Sequence, residues 1–233
     1  MIKFSAILFL IVLVSPAIGQ IIAVKGEHYG LVDNRGKTLL NFKYQQIRNF
    51  PNSHYFLVKE NDLFGLYTSH GKRMVAIKYH QIDTFPDSPF CLVLKDDLYG
   101  LINHRGKKMV PIKYQSIRRM QGSPFMVAKR GGLYGLIDSR GKKRIPVKYE
   151  GLVKFGDTPY YLVNQDGKYG LVDFRGRVKV PMEYQSIGQV VGSPYYLVKR
   201  KDKYGFVNYK GKVIVKTKAM DIDQAIQLLN HRN

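Results

Sequence analysis

The sequence predicts an all-β fold: six tandem 35-residue β-meander repeats with a short C-terminal capping helix. Three observations predict it. An aromatic-glycine pair recurs at a fixed step, short β-branched and aromatic runs alternate with Asx-and-glycine turns, and the last segment switches to helical spacing. The pairs are Tyr29-Gly30, Phe64-Gly65, Tyr99-Gly100, Tyr134-Gly135, Tyr169-Gly170 and Tyr204-Gly205, always 35 residues apart. A second glycine keeps the step at Gly36, Gly71, Gly106, Gly141, Gly176 and Gly211. A closing tyrosine keeps it at Tyr44, Tyr79, Tyr114, Tyr149 and Tyr184, and gives way to Ala219 in the last copy. Six copies without an insertion or deletion define a tile.

The first segment stands outside the tiles. Lys3, the apolar run "FSAILFLIVLV", Pro16 and the small-x-small stretch Ala17-Ile18-Gly19 have the form of a signal peptide. Residues 1–19 are therefore expected to be removed on export, leaving Gln20 as the new N-terminus. The run is short of the roughly 20 apolar residues that a bilayer span needs, so no integral membrane segment is expected after cleavage. An uncleaved anchor is the alternative reading. The expected destination is the periplasm, the cell surface or the medium.

Residues 20–218 form the predicted repeat domain. "YYLVKRKDKYGFVNYKGKVIV" (195–215) gives its grammar: a strand, a polar turn, a second strand, an Asx turn and a third strand. The Asx positions are Asp33, Asn103, Asp138, Asp173 and Asn208, with Thr68 as the substitute. Such a side chain bonds its own turn, and the glycine three residues later accepts a positive φ. The other glycines are likewise read as turn glycines. Three columns read as core: Leu31 to Phe206, Leu40 to Val215, and the connecting-segment column Ile47, Ile82, Ile117, Leu152 and Ile187. One tile cannot bury these alone, whereas stacked tiles can. Pro111, Pro146 and Pro181 are expected to end the last strand. Cys91, the single cysteine, falls in an apolar column and reads as core.

Residues 219–233 are expected to be a helix that covers the last tile. Asp221 or Asp223 supplies the N-cap, and Ile222, Ile226 and Leu229 recur at helical spacing; a partner-binding helix is the alternative. Two architectures satisfy the same columns: an open twisted array, and a closed six-bladed β-propeller. With three clear strands per tile against the usual four per blade, the open array is the expectation.

The pattern aromatic-Gly-Leu-Ile/Val-Asp/Asn-x-x-Gly-Lys, followed by Ile/Val-x-x-Lys-Tyr-x-x-Ile, resembles the bacterial WG-repeat family. "YGLINHRGKKMVPIKYQSI" and "YGLIDSRGKKRIPVKYEGL" carry the likeness most clearly, and it extends from about Ile21 to Ile222. The family's tryptophan is Tyr or Phe in every copy, and the chain contains no Trp. The resemblance implies a β-rich repeat without assigned chemistry, and it supplies no catalytic residues.

The residues themselves argue the same way. Six histidines show no ligand spacing, and no phosphate-loop, nucleophile-elbow or dinucleotide motif occurs. Asp96 and Asp97 lie in a polar turn. No catalytic residue, metal site or cofactor is therefore expected, and the chain reads as a non-enzymatic interaction module.

Charge points to partners. Lys and Arg total 38 against 17 Asp and Glu, a formal charge of +21. The cations concentrate at the Asx turn, as Arg35, Lys37, Lys72, Arg105, Lys107, Arg140, Lys142, Arg175, Arg177, Lys210 and Lys212. Stacked in register, they would form a ladder for a polyanion: lipopolysaccharide, teichoic acid, acidic polysaccharide or nucleic acid. A protein partner, or a glycan on the aromatic columns, are the other ligands the sequence allows. Solubility and protection of strand edges explain the same lysines without a ligand, and an enzyme acting on cell-surface polymer is the least favoured reading.

Overall fold

The computed structural model describes residues 10–12, 19–86, 88–190 and 192–231. Most of the predicted signal peptide, residues 1–9 and 13–18, lies outside the described residues. The chain divides into two compact units, Met1–Lys113 and Tyr114–Asn233.

Each unit carries three antiparallel four-stranded sheets, with the strands of every sheet in chain order. In the first unit, β1 to β4 are Leu10–Val12, Gln20–Lys25, His28–Asp33 and Thr38–Tyr44. β5 to β8 are Gln46–Asn49, Tyr55–Glu60, Leu63–Thr68 and Arg73–Tyr79, and β9 to β12 are Gln81–Thr84, Phe90–Lys95, Leu98–Asn103 and Lys108–Tyr114. In the second unit, β13 to β16 are Ser116–Arg119, Met126–Arg130, Leu133–Ile137 and Lys143–Tyr149. β17 to β20 are Gly151–Lys154, Tyr160–Gln165, Lys168–Asp173 and Val178–Tyr184. β21 to β24 are Ser186–Gln189, Tyr195–Arg200, Lys203–Asn208 and Val213–Ala219, and α1 is Ile222–Asn230.

The connecting segment is thus a strand, which raises the count from the expected three to four. Its single buried residue is the reason it fits: Ile47, Ile82, Ile117, Leu152 and Ile187 are buried, while most of their neighbours face water. Four-residue strands with one buried side chain give no alternation to read.

The glycine of the aromatic-glycine pair is not a turn residue. It sits mid-strand and buried, facing a bulge. Tyr134 pairs with Tyr149 and Leu136 with Ile145, so Pro146, Val147 and Lys148 stand opposite Gly135 alone. A Cβ on Gly135 would lie 2.7 Å from the Ile145 carbonyl oxygen and from Val147 Cα. All six pairs share the approach; at Gly205 the nearest carbonyl, of Val215, is 2.5 Å away. Only a missing side chain lets the fourth strand close over the third.

The bulge also relocates the prolines. Pro111 and Pro146 lie inside β12 and β16 rather than at their ends, and Pro181 lies inside β20. These are outer strands, and for β16 and β20 the proline falls in the bulged stretch, where a missing N–H costs no ladder bond.

Buried residues then bridge neighbouring sheets within each unit. Leu31, Leu40 and Tyr44 pack with Phe56 and Val58, and Leu66, Val75 and Tyr79 with Cys91 and Val93. In the second unit, Leu136, Ile145 and Tyr149 meet Tyr161 and Val163, and Leu171, Val180 and Tyr184 meet Tyr196 and Val198. Burial raises the Tyr79 and Tyr149 phenols, and it pushes Tyr184 up to about 12 with the help of Glu183.

The helix covers the last sheet, but on a different face from the expected one. Asp221 is the N-cap, accepting from Gln224 N at 2.7 Å, and Gln224 Oε1 accepts from Met220 N. Ala225 and Leu229 are buried against Phe206, Val215 and Ala219, whereas Ile222 and Ile226 are 44 % and 38 % exposed. Ala219 explains the phase. Where other tiles bury a tyrosine, the last tile buries alanine, and small Ala225 brings the helix close over it.

Gly135→Ala is expected to lower unfolding stability by about 1–3 kcal/mol, the usual range for forcing atoms into packed space. Gly188→Ala, whose Cβ would meet nothing within 4 Å, is expected to stay within about 0.5 kcal/mol. Urea denaturation of both variants checks the contrast; equal effects would remove the bulge contact from this account.

Candidate functional site

The cation-bearing turns join the third and fourth strands. Their backbone is held by one oxygen. Asp138 Oδ1 accepts from the amides of Arg140 and Lys142, both at 2.9 Å. Asp33 does the same for Arg35 and Lys37, Asn103 for Arg105 and Lys107, Asp173 for Arg175 and Arg177, and Asn208 for Lys210 and Lys212. Thr68 Oγ1 takes the role for His70 and Lys72. The two ladder positions of each turn are thus the two amide donors of the same clamp. The glycine between them carries the positive φ that lets both amides converge: +81° at Gly36, +77° at Gly141.

Turns of adjacent tiles stack. A Cβ on Gly71 would lie 2.2 Å from the Leu39 carbonyl oxygen, and one on Gly106 3.3 Å from that of Met74. In the second unit, Gly176 faces Pro146 and the Arg144 carbonyl, and Gly211 faces the Lys179 carbonyl. Each glycine seats its turn against the fourth strand of the tile before. The first unit therefore presents one row, Arg35, Lys37, Lys72, Arg105 and Lys107. The second presents another, Arg140, Lys142, Arg175, Arg177, Lys210 and Lys212. All eleven side chains are exposed.

Few of these charges are neutralised. Among the described residues, Arg177 alone of the eleven has a carboxylate within 4.0 Å, at 2.6 Å from Asp173. Arg175 and Lys210 lie over the rings of Phe174 and Tyr209, at 5.2 and 5.5 Å. The turn acids themselves are structural. Burial alone would raise the Asp138 carboxyl, but the amides of Lys142 and Arg140 and the Arg144 guanidinium hold it below its ordinary value. Asp173 is likewise held low against its burial, by the amide and guanidinium of Arg177 and the amide of Arg175.

Other chemistry-bearing residues have structural work. Asp96 and Asp97 occupy a two-residue hairpin turn with positive φ at both, joining β10 to β11. His80 Nδ1 accepts from the Asp96 amide at 3.3 Å. Its column mates Gln45, Gln115, Glu150 and Gln185 brace the equivalent turns through Asp62, Gly132, Asp166 and Asp202. This brace column has mixed chemistry, so it carried no sequence signal. His104 packs on Tyr55, 5.2 Å between ring centres, and burial lowers its pKa. Burial pushes the Cys91 thiol up to about 12. No three His, Cys, Asp or Glu side chains gather as a metal site among the described residues, and no described helix is long and apolar enough to cross a membrane.

The aromatic columns face inward. Tyr55, Phe125, Tyr160 and Tyr195 are half-buried against the intersheet clusters, and Tyr209 is the one exposed aromatic among the described residues. The second unit also holds an open cleft of about 1070 Å³ beside β13 and β17, lined by Arg118, Arg119, Val127, Tyr134, Glu150 and Lys154 among others. Lys154 is bound to the carbonyls of Gly156 and Thr158 and Glu150 to the Asp166 amide, so two of its charges brace loops.

Fold and turns together define a tandem all-β repeat protein whose loops present cations. The family model described as "WG containing repeat" matches residues 29–64, 99–132 and 134–169. These three segments are WG repeats, and the family likeness of the chain rests on them. Among solved structures, Kluyveromyces lactis Hsv2p is similar at 10 % identity and TM-score 0.30, over 82 % of this chain and 71 % of that one. A structure described as the eukaryotic initiation factor is similar at 11 % identity and TM-score 0.35, over 87 % and 63 %. Dihydro-heme d1 dehydrogenase NirN is similar at 12 % and 0.32, over 89 % and 53 %. No curated protein matches the chain.

The lowered carboxyls set a pH dependence. A folded-state pKa below the unfolded value near 3.8 adds stability above that value, and the gain disappears as pH falls through the folded pKa. The melting temperature is expected to drop as pH falls below about 3.8 and on through the lower folded-state values of Asp138 and Asp173. Asp173→Asn keeps the Asx oxygen, as Asn103 and Asn208 do naturally. It is expected to fold, to cost less than about 2 kcal/mol at pH 7, and to flatten part of the acid limb. An acid limb as steep as that of the unsubstituted chain would exclude this role for the carboxylate.

Proposed function

We propose that this chain is an exported, non-catalytic binding module whose turn rows hold an anionic envelope polymer such as lipopolysaccharide, teichoic acid or an acidic polysaccharide. One observation carries the reading: eleven exposed cations stand on rigid turns, two to a clamp except at Thr68, which carries Lys72 alone, and only Arg177 has a carboxylate partner among the described residues. Fixed backbone with unneutralised side chains suits a repeating anion, because the turns lose little freedom on binding. The net charge of +21 adds long-range attraction.

Export rests on the N-terminal segment. The non-catalytic reading is supported by the placement of the reactive groups. The paired acids are turn residues, the thiol is buried with a raised pKa, and His80 and His104 serve packing or turn bracing. The WG repeats support an interaction module, and the inward aromatic columns disfavour a glycan bound by stacking.

The test is retention on immobilised lipopolysaccharide, teichoic acid and neutral dextran. Retention on the anionic supports is expected to fall at least about tenfold between roughly 50 and 200 mM salt, as counterion release requires. Neutral dextran should not retain the protein. Lys107→Gln, Lys142→Gln and Lys212→Gln together are expected to weaken retention by about tenfold with little change in melting temperature. Arg177 is left in place because its loss would strand the buried Asp173. Salt-independent retention, or unchanged retention by the triple variant, would contradict the proposal.

A further inference from the structure

The first sheet is completed by a segment that is not part of any tile. β1, Leu10–Val12, pairs antiparallel with β2 in the register Leu10 to Val24, Ile11 to Ala23 and Val12 to Ile22. In the other five sheets this slot belongs to the tile's own first strand. There one rung repeats: a branched aliphatic residue, then Val or Ala, then the pair glycine. The rungs are Ile47-Val58-Gly65, Ile82-Val93-Gly100, Ile117-Ala128-Gly135, Leu152-Val163-Gly170 and Ile187-Val198-Gly205. The first sheet makes the same rung as Ile11-Ala23-Gly30. A segment foreign to the repeat thus sets a branched aliphatic residue at the one rung where every tile has one.

The same segment is the apolar run of the leader. Removing it would bare the outer edge of β2, "QIIAVK", which contains no proline and one charge, at its end. Such an edge is a template for another strand.

We propose that the outer edge of β2 is a strand-acceptor site, closed by Leu10–Val12 while the leader is attached and open after cleavage to an extended segment of a protein partner. The partner strand runs antiparallel and brings a branched aliphatic side chain opposite Ala23. The five strands that fill this slot elsewhere, QIRN, QIDT, SIRR, GLVK and SIGQ, describe its chemistry: one buried aliphatic residue in second place, among mostly polar or exposed neighbours. The inference rests on the reading of residues 1–19 as a cleaved leader, and it is independent of the polymer-binding turns.

Mass spectrometry of the exported protein tests the leader first. A chain beginning at Gln20 is expected; an intact N-terminus would overturn the open state. Hydrogen–deuterium exchange then tests the edge. Those amides of residues 22–24 that face β1 are expected to exchange about tenfold faster in the processed chain than in the full chain, reflecting the lost pairing, while those that face β3 stay protected. The peptide YQQIRNFPN, this chain's own residues 44–52, should restore protection, and the same peptide with Asp in place of its isoleucine should not. Ile11→Pro in the full chain opens the edge without shortening the protein, and the same peptide is expected to protect it. Unchanged exchange on opening, or failure of the peptide on both proteins, would overturn the acceptor site. Self-association of the processed chain with protection of residues 20–25 would assign the edge to a second copy instead.

Discussion

Within each tile, the backbone of the fourth strand presses onto a residue of the third that has no side chain. At Gly65, Gly100, Gly135, Gly170 and Gly205 the space a Cβ would need is held by a carbonyl oxygen less than 3 Å away, and at Gly30 by the Phe42 ring. Much else follows from this approach. The bulge gives Pro146 and Pro181 a place where no ladder bond is lost. Its extra residues reset the strand so that Tyr149 and Ile145 both reach the core on either side of it. The aromatic residue before the glycine then packs half-buried, in several tiles beneath a lysine: Lys59 over Phe64, Lys129 over Tyr134, Lys199 over Tyr204.

A second glycine does a different task. At the Asx turn it supplies positive φ, and at Gly71, Gly106, Gly176 and Gly211 its outer side seats the turn against the preceding tile. Backbone groups are thereby consumed in the clamp and the stack, leaving the flanking side chains to solvent. The two tasks divide within five residues: the Asx oxygen and glycine hold the turn, and the cations on either side of the glycine face outward. Tiles can therefore exchange Asp for Asn, or Lys for Arg, without moving the row.

The period, the core columns, the Asx turns and the buried Cys91 were legible because each repeats a residue type whose physics is distinctive. The fourth strand was not, since one buried isoleucine among polar neighbours has no period. Both glycine columns were visible, but a close approach between strands leaves no mark that separates it from a turn. The helix phase depended on the size of Ala219 and Ala225, which a search for large apolar residues passes over. The candidate site was legible as a set of positions. Its clamp geometry, and the pairing that sets Arg177 apart, required coordinates. The brace column hid because Gln, His and Glu perform one hydrogen bond with different chemistry.

The two ends show how a repeat is finished. The last tile trades tyrosine for alanine and lays a capped helix over the vacancy, while the first borrows a strand from outside the repeat. Whether the turns are the working surface is tested most directly by lysine acetylation footprinting with lipopolysaccharide or teichoic acid at low salt. Lys37, Lys72, Lys107, Lys142 and Lys212 are expected to lose reactivity together. Lys43, Lys78 and Lys148, which lie over tyrosine rings at the far end of the fourth strands, should keep theirs. Protection of both groups alike, or of neither, would contradict the account.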